Sequence, residues 1–440
     1  MQKILILLCI VLILAPIPFL KIHDDEVIYW SIAKSYSELK PKFFGRMPLP
    51  MLIVAPFLRI NESFLIPRFI AGIFTLLSAY LICRIISLRY GEGCIEGALI
   101  FLFSFYALRF GNRFYLDIFG TFFFLLAIYF IEKNEMGKAG VSSVLAILGR
   151  DLWVPVYPFF YIYLRREGKD IKKFALTSLI LILPTITIVY LMGLERYALF
   201  KCLKISYDFI LENGKKIILI ALQSWLEFAV VSTIAILGVL LARKSDNLMI
   251  LIFPQVLVLS LFRNFLFYGA LTQYPIGLIA TLSILAPLGL KRLWEKYIKR
   301  GEFTRALIAL LVFQFFVFNY LATSLSVHGA KGIYDLGYWY DRQVIDLLNE
   351  RAEEGDLIIG VHGAFVEKAR WRWVERNVSR GIELEPDWLV TYRTFVEVIG
   401  KSKYVEIWEI GPYLIAHSEP RGHMHEVLKP RKFKKWKYRS

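Results

Sequence analysis

The sequence has few cysteines and few charged residues for its length. Only four of the 440 residues are cysteine, and none follows Cys202, so no disulfide framework holds the carboxyl-terminal part together. Charged residues make up 20% of the chain and hydrophobic residues 57%, a balance that excludes an ordinary soluble domain. The sequence also lacks internal repeats, low-complexity tracts, a Walker loop and a dinucleotide glycine fingerprint. These absences argue against soluble nucleotide-binding enzymes and repeat proteins.

Long apolar runs dominate what is present. Runs of about 17–25 residues are typical of transmembrane helices, and they recur over most of the chain. We therefore predict a polytopic α-helical membrane protein with about 11 spans, embedded in a lipid bilayer. The predicted spans lie near 3–20, 66–88, 94–108, 116–131, 140–149, 152–164, 174–193, 216–242, 248–268, 272–290 and 305–325.

The distribution of Lys and Arg orients these spans, because cytoplasmic loops carry an excess of both. Segments 165–173, 242–245 and 291–305 are basic and are predicted to be cytoplasmic. The first span has no small-residue cleavage site, so we expect it to be retained with the amino terminus inside. The net charge of +16 then follows from positive loops and a basic tail, and no nucleic-acid partner is expected.

Segment 140–164 allows two interpretations. It is long enough for one span, which would place the basic loop 165–173 on the outer side. Two short helices that turn at Arg150 and Asp151 would keep that loop inside and lift the charged pair to the outer face. We favour the second interpretation, because a charged pair in mid-membrane is costly.

The composition changes after about residue 325. Residues 341–356 show helical periodicity, and the segments LIIGV, YVEIWEI and YLIAHSE are typical of strands. We predict a membrane domain over 1–325 and, over 326–440, a small extracytoplasmic α/β domain that ends in a basic tail. The tail has the charge to contact anionic headgroups or an acidic polymer, although a solvated disordered end has the same composition.

An acidic cluster, Asp24-Asp25-Glu26, directly follows the first apolar run. It begins a helical pattern over 25–39, and a second proline-marked apolar segment, MPLPMLIVAPFL, lies later in the loop 21–65. We predict two interfacial helices that hold the acids at the outer membrane surface. Acids are also common as helix caps, and the cluster alone does not separate the two roles.

The order of these segments resembles the fold type C membrane glycosyltransferases, which include the protein O-mannosyltransferases and the lipid A aminoarabinose transferases. Those families carry an Asp-Glu pair after the first helix with an aromatic residue close behind, matched by Asp25, Glu26 and Tyr29. Their basic, proline-bearing element late in the first loop is matched by Arg46, with Pro48 and Pro50 after it. The resemblance covers about residues 1–325.

Two further elements carry the resemblance. An acidic residue in the second outer loop is matched by Asp117, and the segment TQYPIGLIATLSILAPLGLKRL is similar to the family's R-Y-x-x-P helix. Tyr274 matches the tyrosine of that motif, but Gln273 replaces the basic residue, which puts a phosphate ligand at that position in doubt.

The resemblance implies an enzyme that moves a sugar from a polyprenyl-phosphate donor to an acceptor hydroxyl or amine at the extracytoplasmic face. A carboxylate would act as general base, and arginines would stabilise the phosphate leaving group. The acceptor class, whether glycan, lipid or protein, stays open. The candidate catalytic residues are Asp25, Asp24, Glu26 and Asp117; the candidate phosphate ligands are Arg46, Arg113, Arg263 and Arg150; and the candidate substrate-binding residues are Tyr29, His23 and Tyr274.

Several of these residues have a plain structural alternative. An arginine placed like Arg113 is also typical of interfacial anchoring. Arg150 and Asp151 could equally form an ion pair that satisfies itself at a helical turn. His23 is also typical of polar surface. The cluster Asp24, Asp25 and Glu26 has the oxygen ligands for a divalent metal, but the resemblance does not require a cofactor.

Two other function classes compete with the glycosyltransferase. A transporter or flippase of lipid-linked sugars would place its polar site near the bilayer midplane, and Glu227, deep in a predicted span, is the one feature that favours it. A receptor or scaffold would leave the acidic cluster unexplained.

Overall fold

The computed structural model describes residues 2–40, 47–91, 94–191, 246–261, 274–297, 302–324, 334, 336–372, 386–392 and 404–418. The chain forms two compact units. The helical unit comprises Met1–Pro18, Ile28–Ser324 and Gly332–Tyr334, and the α/β unit comprises Phe19–Val27, Leu325–Lys331 and Asp335–Ser440.

Helices follow the predicted apolar runs in the part of the chain that the structure describes. They are α1 (Gln2–Leu14), α2 (Asp24–Ser37), α3 (Leu49–Ile60), α4 (Leu65–Tyr90), α5 (Cys94–Leu102), α6 (Phe105–Phe110), α7 (Leu116–Glu132), α8 (Met136–Gly149), α9 (Tyr157–Arg166), α10 (Ile171–Leu191), α11 (Met249–Leu261), α12 (Ile276–Tyr297) and α13 (Phe303–Ser324). Among the described residues, α4 has both the length and the apolar composition to cross a membrane. The predicted number of spans stays a prediction.

Short interruptions divide two of the predicted spans. The span predicted at 94–108 is broken between α5 and α6, where the Ser104 hydroxyl accepts a hydrogen bond from the Ala107 N–H over 3.2 Å. The first span ends as helix at Leu14, and a short 3-10 turn over Ile17–Phe19 follows. Pro16 and Pro18 explain this end, because a proline ring cannot continue the α-helical hydrogen-bond ladder.

The segment 140–164 contains two helices and a turn, as the preferred interpretation predicted. Helix α8 ends at Gly149, Arg150 is extended at φ −156° and ψ 127°, and Asp151–Trp153 form a 3-10 turn before α9. A Cβ atom on Gly149 would lie 2.9 Å from the backbone of Gly120, so the missing side chain allows α7 and α8 to approach closely. The side of the membrane on which this turn lies stays a prediction.

The loop 21–65 holds the two predicted helices, α2 and α3. Pro48 and Pro50 lie at the start of α3, where a missing backbone N–H removes no helical hydrogen bond. The boundary between the two units falls inside α2, after Val27. The interfacial location of both helices stays a prediction.

One arginine at the end of α4 joins four segments of the helical unit. The Arg89 guanidinium lies 2.8 Å from each of the carboxylates of Glu132, Glu167 and Asp246, and it donates to the Tyr163 hydroxyl over 3.1 Å. Burial works against the charge of Glu167, but the hydrogen bonds from Arg89 and Asn247 outweigh that cost and lower the pKa of this carboxyl. The cluster therefore ties α4, α7, α9 and the start of α11 together.

The α/β unit contains helix α14 (Tyr338–Arg351) and a five-stranded mixed sheet. The strands are β1 (Leu357–Ile359), β2 (Arg370–Arg372), β3 (Trp388–Tyr392), β4 (Tyr404–Ile410) and β5 (Tyr413–Ser418). The strand order is β2-β1-β3-β5-β4, with parallel pairs around β1 and antiparallel pairs around β5. Val344 and Leu348 of α14 are one turn apart and pack into a core with Ile358, Trp388 and Ile415. This mixed architecture agrees with the predicted fold class.

The α/β unit also includes Phe19–Val27, a partition that the sequence analysis did not predict. Leu20 and Leu336 form an isolated antiparallel β-bridge, and the Gly337 N–H donates to the Phe19 carbonyl over 3.0 Å. The segment that leads into the acidic cluster is thus hydrogen-bonded to the start of the α/β unit's own helix.

Candidate active site

A buried arginine and two buried aspartates meet where α7 and α8 come together. Asp117 lies in the first turn of α7, and Arg150 and Asp151 follow α8. The Arg150 Nε atom is 3.0 Å from Asp117 Oδ1 and 3.4 Å from Asp151 Oδ1. All three residues are less than a tenth exposed. Arg150 therefore pairs more closely with Asp117, 33 positions earlier in the chain, than with its neighbour Asp151.

The Arg150 guanidinium has a buried donor without a well-formed hydrogen bond among the described residues. The two ion pairs run through Nε, and this atom donates no hydrogen bond of proper geometry to the part of the chain that the structure describes. A guanidinium carries five N–H donors, and buried polar groups nearly always have hydrogen-bond partners. An anion that accepts two parallel N–H bonds, such as a phosphate, is the ligand that such a fork matches best.

Arg150 lines a cavity of about 30 Å³ in the helical unit. The other polar and aromatic lining residues include Asp117, Thr121, Trp153, Gln255 and Tyr274. The centre of the Tyr274 ring is 5.2 Å from the central carbon of the Arg150 guanidinium, within the range of a cation–π contact. Between these lining residues there is room for one or two water molecules. A larger ligand would need the cavity to open.

Trp153 forms one wall of this cavity and is held in place by close packing. Its ring stacks on Phe124 with the ring centres 4.1 Å apart. A Cβ atom on Gly120 would lie 2.5 Å from the indole nitrogen, and one on Gly277 would lie 2.6 Å from the benzene edge. The indole thus occupies space that side chains at these two positions would fill.

Gln255 brings an amide to the same cavity from α11. Its Nε2 donates to the Thr281 hydroxyl over 3.0 Å and to the Leu251 carbonyl over 2.8 Å. Gln255, Thr121 and Trp153 were not among the residues selected from the sequence. The available signal for Gln255 was a single amide inside the apolar run that forms α11.

Tyr29, predicted to bind substrate, is also buried in the helical unit. It is 2% exposed and its ring meets Phe114 edge to face. Of the residues selected from the sequence, Asp117, Arg150 and Tyr274 line the cavity together.

The acidic cluster lies in the α/β unit, at the first turn of α2. Asp24 is exposed, Asp25 is half-buried and Glu26 is fully buried. The half-buried His23 precedes the helix, and its carbonyl accepts the Val27 N–H over 3.2 Å, which closes the first turn. The predicted helix start is present, and the catalytic role of the acids stays a prediction.

The structure describes one of the three remaining candidate phosphate ligands, Arg113. Arg113 is fully buried, and its guanidinium donates to the carbonyls of Arg109, over 3.2 Å, and Tyr334, over 2.9 Å. Arg46 and Arg263 lie outside the described residues, as does Glu227, which favoured a transporter. Within the described ranges, no three His, Cys, Asp or Glu side chains gather in a way that could hold a metal ion, and this includes Asp24, Asp25 and Glu26.

Two further buried polar residues were not among those selected from the sequence. Arg68, in the second turn of α4, is fully buried and lies 4.6 Å above the ring of Phe64. Asn112 is fully buried, and its side-chain amide forms no hydrogen bond with the part of the chain that the structure describes. The signal for Arg68 was a charge near the start of an apolar span, which is costly without a role.

No family model and no curated protein matches the sequence. Solved structures do match. The crystal structure of ArnT from Cupriavidus metallidurans bound to undecaprenyl phosphate has a TM-score of 0.58 and 12% sequence identity, over 96% of this chain and 99% of that one. The apo structure of the same protein has a TM-score of 0.57, with the same identity and coverage.

The match extends along nearly the whole length of both chains. ArnT is a lipid A aminoarabinose transferase with the fold type C. The predicted resemblance to this group is thereby confirmed at the level of the fold.

Proposed function

We propose that this protein is a membrane glycosyltransferase that transfers a sugar from a polyprenyl-phosphate donor to an acceptor hydroxyl or amine at the extracytoplasmic face. The observation that carries the proposal is the buried Arg150 guanidinium, which lines a cavity and whose Nε donates no hydrogen bond of proper geometry among the described residues. The similarity to a protein crystallised with undecaprenyl phosphate supports a lipid phosphate as the anion that Arg150 binds.

The local charge limits how the phosphate is held. Arg150 contributes one positive charge and Asp117 and Asp151 contribute two negative charges, so the trio is negative overall when both acids are ionised. A bound phosphate therefore requires a second cation, and Arg113, four positions before Asp117, is the described candidate. Arg46 and Arg263 complete the proposed set. The two aspartates are suited to accept hydrogen bonds from sugar hydroxyl groups beside the phosphate.

The proposed reaction is a single displacement at the anomeric carbon. The acceptor oxygen or nitrogen forms a bond to that carbon, and the bond between the carbon and the phosphate oxygen breaks. The electron pair of the broken bond stays on the polyprenyl phosphate, whose increased charge the arginines stabilise. The acceptor proton passes to a carboxylate, which is then the general base.

Asp25 is the proposed base, with Asp24 as its nearest rival. Asp25 is half-buried at the start of α2, which partly shields its charge while keeping it accessible. Glu26 orients the acceptor or the base, and His23 and Tyr29 contact the substrate. Asp117 holds the Arg150 guanidinium, and Tyr274 covers its face.

The test is transfer by the purified full-length protein in detergent. It is incubated with radiolabelled polyprenyl-phosphate sugars and a membrane extract as acceptor source. Wild type is compared with Arg150→Lys, which keeps the charge but loses the planar fork, and with Arg150→Gln. We expect Arg150→Lys to raise the KM for the donor and Arg150→Gln to lower kcat as well, since a leaving-group contact is lost.

Arg165→Lys is the matched control, because Arg165 is exposed at the end of α9. This control should behave like wild type. Donor binding without any transfer by wild type would favour a transporter or flippase and would overturn the proposal. Unchanged kinetics in both Arg150 variants would show that Arg150 does not bind the donor phosphate and would contradict the proposed function.

A further inference from the structure

A buried carboxylate interrupts the apolar face of α14 in the α/β unit. Asp341 precedes Val344 and Leu348 at helical spacing, so it occupies a position where an apolar side chain would pack. It is fully buried. A charge at such a place is costly unless it is hydrogen-bonded, which indicates that it has a specific task.

Three donors from three separate segments converge on Asp341. The backbone N–H of Ile22 donates to Oδ2 over 2.7 Å. His362 Nε2, in the 3-10 turn Val361–Phe365, lies 3.0 Å from Oδ1, and the Tyr413 hydroxyl of β5 donates to the same oxygen. Because a carboxylate only accepts, these contacts place the proton of the imidazole on Nε2.

The hydrogen bonds keep the carboxylate ionised. Burial alone would raise the pKa of Asp341, but the donors from His362, Tyr413 and Ile22 outweigh burial and lower it below its usual value. The Ile22 N–H is thus held by a charged acceptor, a stronger bond than one to a neutral carbonyl.

Other contacts bind the same short segment. The Phe19 carbonyl accepts the Gly337 N–H, and Leu20 pairs with Leu336. The Lys21 ammonium lies 5.3 Å from the centre of the Tyr413 ring, and Lys21 is 3% exposed. Successive residues from Phe19 to Ile22 are therefore attached to the α/β unit, and α2 begins two residues later at Asp24.

We propose that Asp341 is a positioning residue of the transferase: through the Ile22 N–H it fixes the segment that enters α2, and so orients the acids Asp24, Asp25 and Glu26. This inference rests on the proposed function. It assigns to the α/β unit a task in turnover that is separate from binding the lipid donor. Tyr413 and His362 act through Asp341 by holding its carboxylate in one orientation.

The physical reason is that a general base needs its orientation fixed. A displacement of about 1 Å at a reacting group can cost about a hundredfold in rate. Asp341→Asn keeps the shape of the side chain but replaces one acceptor oxygen with an N–H₂ group, which then faces one of the three donors. The Ile22 segment should loosen while the apolar core around Val344 stays packed.

The experiment combines hydrogen exchange with kinetics on the full-length protein in detergent. Mass spectrometry follows amide exchange of the peptide that contains residues 20–27, and transfer assays give kcat and the donor KM. We expect Asp341→Asn to speed exchange in that peptide at least tenfold and to lower kcat about tenfold or more, with the donor KM within about twofold of wild type. Tyr413→Phe, which removes one of three donors, should give a smaller change in the same direction.

Val344→Ala is the matched control. It lies on the same face of α14 and loosens the core, which includes the Tyr413 ring, while it leaves all three donor groups and their acceptor in the chain. When its loss of Tm equals that of Asp341→Asn, Val344→Ala should still leave amide exchange at residues 20–27 and kcat near the wild-type values. If it lowers kcat as much as Asp341→Asn, the role of Asp341 is only structural and the proposal is overturned.

The two exchange outcomes and the two kinetic outcomes separate the hypotheses. Unchanged exchange in Asp341→Asn, or faster exchange with unchanged kcat, overturns the positioning role while leaving the proposed function intact. Absence of transfer by wild type with every donor tested overturns the proposed function and this role with it, and the exchange data then still report whether Asp341 holds the segment.

Discussion

The carboxylate of Asp341 accepts the backbone N–H of Ile22 over 2.7 Å, although 319 positions separate the two residues in the chain. The contact joins the segment before the acidic cluster to the helix that opens the carboxyl-terminal part of the α/β unit. Because the acceptor is a charged group at a buried position, the contact should depend on pH in a defined direction.

The first prediction concerns the acid stability of the α/β unit. The pKa of Asp341 is lowered in the folded state, so the stabilisation it provides is complete above its unfolded value of about 3.9 and is lost as pH falls through the lower folded value. We expect the Tm difference between wild type and Asp341→Asn to be largest near neutral pH and to shrink below about pH 4. Thermal unfolding of the full-length protein, followed by tryptophan fluorescence, measures it.

Asp346→Asn controls for a general effect of removing an acid from this helix. Asp346 lies on α14 as well, but its side chain is 69% exposed, beside Arg342. Its substitution should change the Tm little at any pH. A Tm difference for Asp341→Asn that stays constant down to the lowest pH would contradict the ionised state assigned to that carboxylate.

The second prediction concerns the proposed general base. Asp25→Asn keeps the size of the side chain and removes its charge, so it should lower kcat by about 10²–10⁴-fold while the protein still folds and binds the lipid donor. Transfer assays and donor titrations on the purified variant measure both quantities.

Asp170→Asn separates catalysis from helix capping. Asp170 is an exposed acid just before α10, and its carboxylate accepts the Lys173 N–H over 3.1 Å. It therefore tests what the loss of a capping charge does by itself, and activity should persist. If Asp24, Asp25 and Asp117 can each be changed to Asn with transfer intact, the cluster is only a helix cap.

The third prediction concerns the tryptophan wall of the cavity. A methyl group at position 277 would lie 2.6 Å from Trp153, so Gly277→Ala must displace the indole. We expect a cost of about 1–3 kcal/mol in stability together with reduced transfer. Gly137→Ala is the control, because the nearest atom to its Cβ is 3.5 Å away, and Tm should be unchanged or raised. Equal behaviour of the two variants would show that Trp153 is not tightly held.

The fourth prediction concerns the ion cluster at the end of α4. Arg89→Gln leaves the carboxylates of Glu132, Glu167 and Asp246 close together without their shared cation. Because the arginine side chain is only 12% exposed, we expect a loss of about 3–5 kcal/mol, seen as a lower Tm. Arg59→Gln, at an exposed position on α3, should have little effect. Similar melting of both variants would show that the cluster is dispensable.

The sequence by itself determined the local elements of this protein. Among the described residues, apolar runs, prolines and glycines placed most helix ends within a few residues, including the break after Gly149 and the two helices of the loop 21–65. Such features act within a few residues of where they stand, because helix periodicity, capping and ring constraints are local. Arg150 was recognisable from its place at the break between two predicted helices, whereas Asp117, Tyr29 and Tyr274 became candidates through the resemblance to the fold type C glycosyltransferases.

Only the tertiary structure decided which distant residues meet. The pairing of Arg150 with Asp117, the cavity contacts of Trp153 and Gln255, and the attachment of Phe19–Ile22 to Asp341 join segments far apart in sequence. Periodicity shows which face of a helix is apolar, but it does not show which partner covers that face. In the local sequence, a buried charge such as Asp341 is indistinguishable from any other polar residue on a helix. Its three donors become neighbours only when the sheet and the helix pack together.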